Sequence, residues 1–192
     1  SVGKVSLAPS EGLVGLVAVA LRLVIVAAAL PRPGMEDNRT RGASLPACTC
    51  ASANSITPFH FDAEENILIQ IKGDKFVRTF DNDDRKLVSE ETLELTPSRH
   101  RNTRYEPWYE SRTTLHSLKP SDAVHMPYMV PHWVSTGDSY SISMAMTWKT
   151  PEVKRLNKIR LMNGTLRRFG LPQKPPGVSP ALDATKVLAH DA

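Results

Sequence analysis

Aromatic residues make up only 6% of the 192-residue chain, and there are only two cysteines. With 15 prolines, that scarcity argues against a helical bundle and for a loop-rich β fold. Cys48 and Cys50 stand one residue apart, too close to staple a fold. A CxC pair also lacks the second pair of a zinc site. They read as incidental thiols of a reducing compartment, so the expected location is cytoplasmic. Excess charge is lacking as well. The formal net charge is +4, with both signs mixed along the chain. No Lys/Arg block carries interleaved aromatics, so nucleic acid is not an expected partner.

The chain holds one long apolar run, residues 12–30, interrupted only by Arg22. Its length is close to the ~20 residues that span a bilayer. Lys4 ahead of it and Ala27, Ala28 and Ala29 at its end resemble a signal peptide. Arg22 opposes both readings, because a mid-span charge costs roughly 2.5–3.5 kcal/mol on insertion scales. Three readings stay open: a membrane anchor or signal, a packed hydrophobic helix of an incomplete N-terminal region, and a segment foreign to the native domain. The first residue is Ser, consistent with a fragment. Residues 1–43 are therefore set apart as an atypical N-terminal segment, followed by a barrel over 44–150 and a C-terminal helix and Pro-rich tail over 151–192.

The chemistry concentrates in Thr57-Pro58-Phe59-His60-Phe61-Asp62. Pro58 disfavours helix at Thr57, so the segment reads as extended. Positions 60 and 62 then point to one side. A strand with Lys75 at its start follows Gly73-Asp74, a dipeptide that predicts a tight hairpin turn. Pro127 and Pro131 bracket the approach to a second histidine, His132. Two His and one Asp are the ligand set of a facial triad for Fe(II). His125 is the rival third ligand, and Lys72 the rival to Lys75.

The rest is read from turns and period. Residues 88–95 contain a helix start, and 113–118 and 123–127 are strands. Residues 139–148 alternate strictly. Tyr140, Ile142, Met144, Met146 and Trp148 take a bulky face predicted to be buried. Ser141, Ser143, Ala145 and Thr147 take a small face suited to lining a barrel with room for a ligand. Thr150-Pro151-Glu152 starts a helix that ends at Gly170, and a short helix is predicted over 181–189. Residues 97–111 form an irregular insertion. There His100, Arg101, Arg104, Tyr105 and Trp108 are candidates to shape a substrate entrance, against a solvated basic loop as the alternative.

Thr57, His60 and Asp62, then Asn66, then Lys75 thirteen residues after Asp62, then His132 five residues after Pro127, resemble the JmjC and cupin-like 2-oxoglutarate oxygenases. The nearest type is the asparaginyl hydroxylase acting on hypoxia-inducible factor, with its bacterial cupin-like relatives. The likeness runs over about 44–148 and touches 166–172 and 175–180. It implies a mainly β fold, a double-stranded β-helix (the cupin or jelly-roll barrel) with a C-terminal helical segment. It implies that His60, Asp62 and His132 hold Fe(II). It implies that Lys75 pairs with the distal carboxylate of 2-oxoglutarate, with Thr57 donating a hydroxyl and Asn66 nearby. O2 is then the second cosubstrate. The expected activity is a dioxygenase, a hydroxylase of a protein side chain or small molecule. The C-terminal helix is a candidate homodimer surface. Two features depart from the family: residues 1–43 do not match the region that precedes its motif, and Ser143, Ala145 and Thr147 occupy the strand where an asparagine contributes to the cosubstrate site. The alternatives are a cupin-fold metal- or ligand-binding module without turnover, and a membrane-tethered interaction protein.

Overall fold

The structure, a computed structural model, describes residues 2–6, 47–98 and 103–191. Among the described residues, nine strands precede two C-terminal helices. They are β1 (Gly3–Ser6), β2 (Ala47–Ala51), β3 (Ile56–His60), β4 (Glu65–Lys72), β5 (Lys75–Thr79), β6 (Thr114–Leu118), β7 (Asp122–Met126), β8 (His132–Thr136) and β9 (Ser141–Trp148). Between β5 and β6 lie α1 (Glu90–Leu95) and a 3₁₀ helix (Pro107–Arg112). After β9 come α2 (Pro151–Arg168) and α3 (Pro180–Asp191).

The strands form two antiparallel sheets, ordered β1-β7-β4-β9-β2 and β3-β8-β5-β6. From β2 onward the chain steps from one sheet to the other at every connection except β5 to β6. That alternation is the double-stranded β-helix, so the jelly-roll barrel expected from the sequence is the fold. Leu68, Val124 and Met126 from the first sheet meet Val77, Leu118 and Val134 from the second in one buried cluster. This apolar plug fills part of the interior. Beside it the inward positions Gln70, Lys75, Thr79, His132, Ser141 and Ser143 are polar and buried.

The Gly73-Asp74 turn does not close a hairpin. β4 and β5 belong to different sheets and do not pair, so the turn is a corner between layers. Gly73 sits at φ 71°, and a Cβ there would fall 2.4 Å from the carbonyl oxygen of Tyr140. Only glycine tolerates that combination. Beside it Gln70, fully buried, donates to the carbonyls of Lys72 (2.7 Å) and Gly73 (2.8 Å) and to Ser141 Oγ (2.9 Å). Ser143 Oγ donates back to Gln70 Oε1 at 2.7 Å. This network ties the corner to β9.

The alternation of β9 is present, with its faces assigned only in part as expected. Ser141 and Ser143 are fully buried and face the barrel. The bulky face looks outward. Met146 is buried there against Ile69 and Ala123, whereas Tyr140 is half exposed. A sheet with only one face inside the barrel leaves its other face to be covered position by position.

Helix α2 starts where the sequence places it. Thr150 Oγ1 accepts from Val153 N at 3.1 Å, and Pro151 occupies the first turn. Charged contacts seat the helix on α1. Arg167 grips Glu94 through two bonds of 2.8 and 2.9 Å, and Arg160 meets Glu90 at 3.1 Å. Glu94 is only 1% exposed whereas Arg167 is partly exposed, so loss of Arg167 would leave a buried carboxylate unpaired, which is costly. Among the described residues, no helix is long and apolar enough to cross a membrane. The 12–30 run lies outside the described residues, as do His100 and Arg101.

Candidate metal centre

The motif segment works by alternation. Phe59 and Phe61 are 3% and 2% exposed in a core with Phe80, Leu87, Val88 and Leu93. Residues on either side of an extended backbone alternate, so anchoring the phenylalanines leaves His60 and Asp62 on the opposite side. His60 pairs in register with His132 across β3 and β8, after an irregularity in β3 between Thr57 and His60. The imidazole rings lie 4.2 Å apart, centroid to centroid. One ligand atom each from His60, Asp62 and His132 falls within 4.8 Å of the others.

Both histidines have their tautomer set by the main chain. His60 Nδ1 is 2.7 Å from the carbonyl oxygen of Pro58, and His132 Nδ1 is 2.9 Å from that of Val130. A carbonyl accepts only, so each Nδ1 carries the proton and each Nε2 presents a lone pair, the arrangement a metal-ligating histidine requires. His132 Nε2 lies 3.9 Å from Asp62 Oδ2. The donors are two imidazole nitrogens and one carboxylate, and both histidines are buried. That set fits a divalent transition metal with open coordination positions. The triad read from the sequence is therefore assembled.

The rivals are placed elsewhere. His125 faces outward, 2.9 Å from Glu65 and stacked on Trp148. Lys72 lies over the Tyr140 ring at 4.7 Å. Asn66 is buried and donates to Asp62 Oδ2 at 3.3 Å, which orients the carboxylate. Its own Oδ1 is buried with no hydrogen-bond partner. Thr57 pairs in register with the inward-facing Val134, yet is exposed. Lys75 is 6% exposed, and burial pushes its ammonium pKa down from the ordinary lysine value. Its register neighbours Thr136 and Leu118 are uncharged.

In the 97–111 insertion, Tyr105 packs edge-on against Phe59 and donates to Glu110. Burial and that acid push its phenol up to about 12. Arg104 and Trp108 are exposed, Arg104 pairing with Glu106 at 2.7 Å. A groove of about 450 Å³ lies outside the barrel on the second sheet, lined by Ile56, Phe76, Arg78, Trp133 and Ser135. It is distinct from the triad.

Sequence reading missed the bracing of the loop before His132. Met129 holds φ 60° with its side chain fully buried, and Met129 N donates to the Asp62 carbonyl at 2.9 Å. Strained backbone of this kind persists only where surrounding contacts hold it. The two prolines were the only local signal.

No protein-family model and no curated protein matches the chain. Solved structures similar to it include oxalate decarboxylase from Bacillus subtilis, at 11% identity over 56% of this chain and 22% of that one, with a TM-score of 0.39. The Drosophila melanogaster CENP-C cupin domain aligns at 9% identity over 54% of this chain and 60% of that one, with a TM-score of 0.36. Peruvianin-I, a cysteine peptidase from Thevetia peruviana latex, aligns at 12% identity over 55% and 50%, with a TM-score of 0.38. The chain thus spans less than two thirds of each. Likenesses this distant carry no functional argument; strand order defines the barrel.

Proposed function

We propose that the chain is a non-haem Fe(II)/2-oxoglutarate-dependent oxygenase, a hydroxylase of a protein side chain or small molecule. The observation that carries this reading is Lys75, a cation on the inner face of β5 that is 6% exposed, sits between the uncharged Thr136 and Leu118, and has its ammonium pKa pushed down by burial. Burying an ammonium is costly, and an anion beside it would offset that cost. Thr79, four residues along the same strand, lies opposite the ligand His132. Four residues of strand are about 13 Å. A lysine stem and a five-carbon diacid together fit that gap, with the oxo-acid end at the metal and the distal carboxylate at Lys75. The ammonium–carboxylate bond would be charge-assisted in a dry interior and correspondingly strong.

His60, Asp62 and His132 would hold Fe(II), leaving positions for the oxo acid and O2. The bound iron would supply oxidation of a substrate C–H bond at the expense of O2 and 2-oxoglutarate. The protein's own part is positioning and exclusion of water. Asn66 keeps Asp62 oriented, and its unpartnered Oδ1 remains a polar contact for a ligand. A homodimer through the C-terminal helices belongs to the same reading, supported by exposed Phe169 (79%), Leu182 (56%) and Leu188 (73%).

The second reading is a metal- or ligand-binding cupin module without turnover. It is favoured by Ser143 and Thr147 on a strand where the oxygenases carry an asparagine. Succinate formation from 2-oxoglutarate in air, by Fe(II)-loaded wild type and by His60→Ala and Asp62→Ala, separates the two. Turnover confined to the wild type supports the oxygenase. Metal binding by the wild type without turnover supports the module.

A further inference from the structure

We infer that Asn157, on the C-terminal helix α2, is a positioning residue for the metal centre, clamping together the two loops that deliver Asp62 and His132. The inference rests on the reading of these residues as metal ligands. Asn157 is far from the motif in sequence and 8% exposed. Its Nδ2 donates to the carbonyl of Ala63, the residue after Asp62, at 2.9 Å. Its Oδ1 accepts from the hydroxyl of Tyr128 at 2.9 Å. Tyr128 lies in the loop that ends at His132. One amide thus uses both of its functional ends, one on each ligand-bearing loop.

The two loops are also joined directly by the bond from Met129 N to the Asp62 carbonyl. Met129, between Tyr128 and His132, holds the left-handed backbone that a non-glycine residue adopts only under constraint. The constraint comes from its flanks: Tyr128 is held by Asn157 through its hydroxyl, while Asn82 Nδ2 donates to its carbonyl at 3.3 Å. On the far side, the Pro131 carbonyl accepts from Phe80 N at 3.0 Å. Without the clamp, the loop is released to relax its strained residue and shift the imidazole it carries.

The position of Asn157 is fixed in turn. α2 is seated on α1 by Arg160–Glu90 and Arg167–Glu94, and Val153 and Ile159 are buried on either side of Asn157 along the helix. The C-terminal helix is therefore part of the apparatus that sets the distance between Asp62 and His132, although it donates no ligand.

The test measures Co(II) affinity and metal-free thermal stability in the full chain for wild type, Asn157→Ala, Tyr128→Phe and His60→Ala. Tyr128→Phe keeps the ring and removes only the hydroxyl, so it serves even where Asn157→Ala folds poorly. Loss of a contact that orients ligands typically costs 10–100-fold in metal affinity. The expected result is a Co(II) affinity about tenfold weaker or more in Asn157→Ala and Tyr128→Phe, measured on folded protein. A lower melting temperature with unchanged Co(II) affinity in both variants would overturn the proposal and leave Asn157 a structural brace. A wild type that binds no Co(II) would overturn the metal reading itself, with the clamp falling alongside it. Binding by wild type that is lost in His60→Ala keeps that reading intact whatever the clamp variants do.

Discussion

Replacing Lys75 with methionine separates ligand chemistry from stability, because the two should move in opposite directions. Lys75 is 6% exposed, and burial depresses its pKa below the ordinary lysine value. Without a ligand, its charge is a cost to folding. Exchanging buried ionic groups for apolar ones of similar size is often stabilising by roughly 1–4 kcal/mol. In a chain of 192 residues, each kcal/mol moves the melting temperature by about 2–4 °C. The metal-free Lys75→Met protein should therefore melt roughly 2–15 °C higher than wild type. The pH dependence follows from the depressed pKa. The unfolded lysine binds its proton more tightly, so the cost is fully present below the folded pKa. It fades as pH rises towards the unfolded value of 10.5, and the advantage of the variant should shrink at alkaline pH. With ligand the order reverses. A hydrogen bond to a charged group contributes about 1.5–3 kcal/mol, so 2-oxoglutarate should bind the variant about 10- to 150-fold more weakly. Calorimetry with the metal-loaded protein measures that loss, and differential scanning calorimetry measures the stability gain. A Lys75→Met protein that is less stable without ligand, or that binds 2-oxoglutarate as tightly as wild type, would refute the assignment of Lys75 as an anion anchor.

Three further outcomes are expected. Phe61→Ala removes a side chain that is 2% exposed between the two ligand positions, and should cost about 3–5 kcal/mol by chemical denaturation, with metal binding weakened alongside. The Tyr128 phenol is pushed up to about 12 by burial; the unfolded tyrosine ionises from about pH 10, so stability should fall between pH 10 and 12, with a shallower fall in Tyr128→Phe. Leu188, 73% exposed on α3, should report self-association: wild type sediments as a dimer and Leu188→Asp as a monomer, and identical sedimentation of the two excludes this face as the interface.

What was legible in the sequence was whatever short-range alternation controls. Phe59 and Phe61 against His60 and Asp62 is a period-2 pattern, and a strand converts it into an anchored face and a chemical face. The same logic found β9 and placed Ser141 and Ser143 inside. The caps of α1 and α2, Ser89 and Thr150, were readable because capping is local. Pairing over long distances was not. Nothing in Gly3–Ser6 marks it as a strand, yet it pairs with β7, and Lys4 Nζ reaches Asp122 at 2.7 Å. The Gly73 corner looked like a hairpin because turn chemistry at a glycine is the same whether the next strand pairs or crosses to the other sheet. The outward direction of His125 follows from its register opposite Ile67, which only the assembled sheet defines. Asn157 lies mid-helix with no local signature, since its role exists only once α2 packs beside two loops from distant parts of the chain.

His60, Asp62 and His132 bring one ligand atom each within 4.8 Å of one another. Their most direct test is a titration of Co(II) into metal-free wild type and into His60→Ala, Asp62→Ala and His132→Ala, followed by visible absorption and equilibrium dialysis. The wild type should bind one equivalent, with a ligand-field spectrum of mixed nitrogen and oxygen donors, and each variant should lose that site. A wild type that binds no metal, or variants that keep the same stoichiometry and spectrum, would contradict the assignment of this triad as a metal centre.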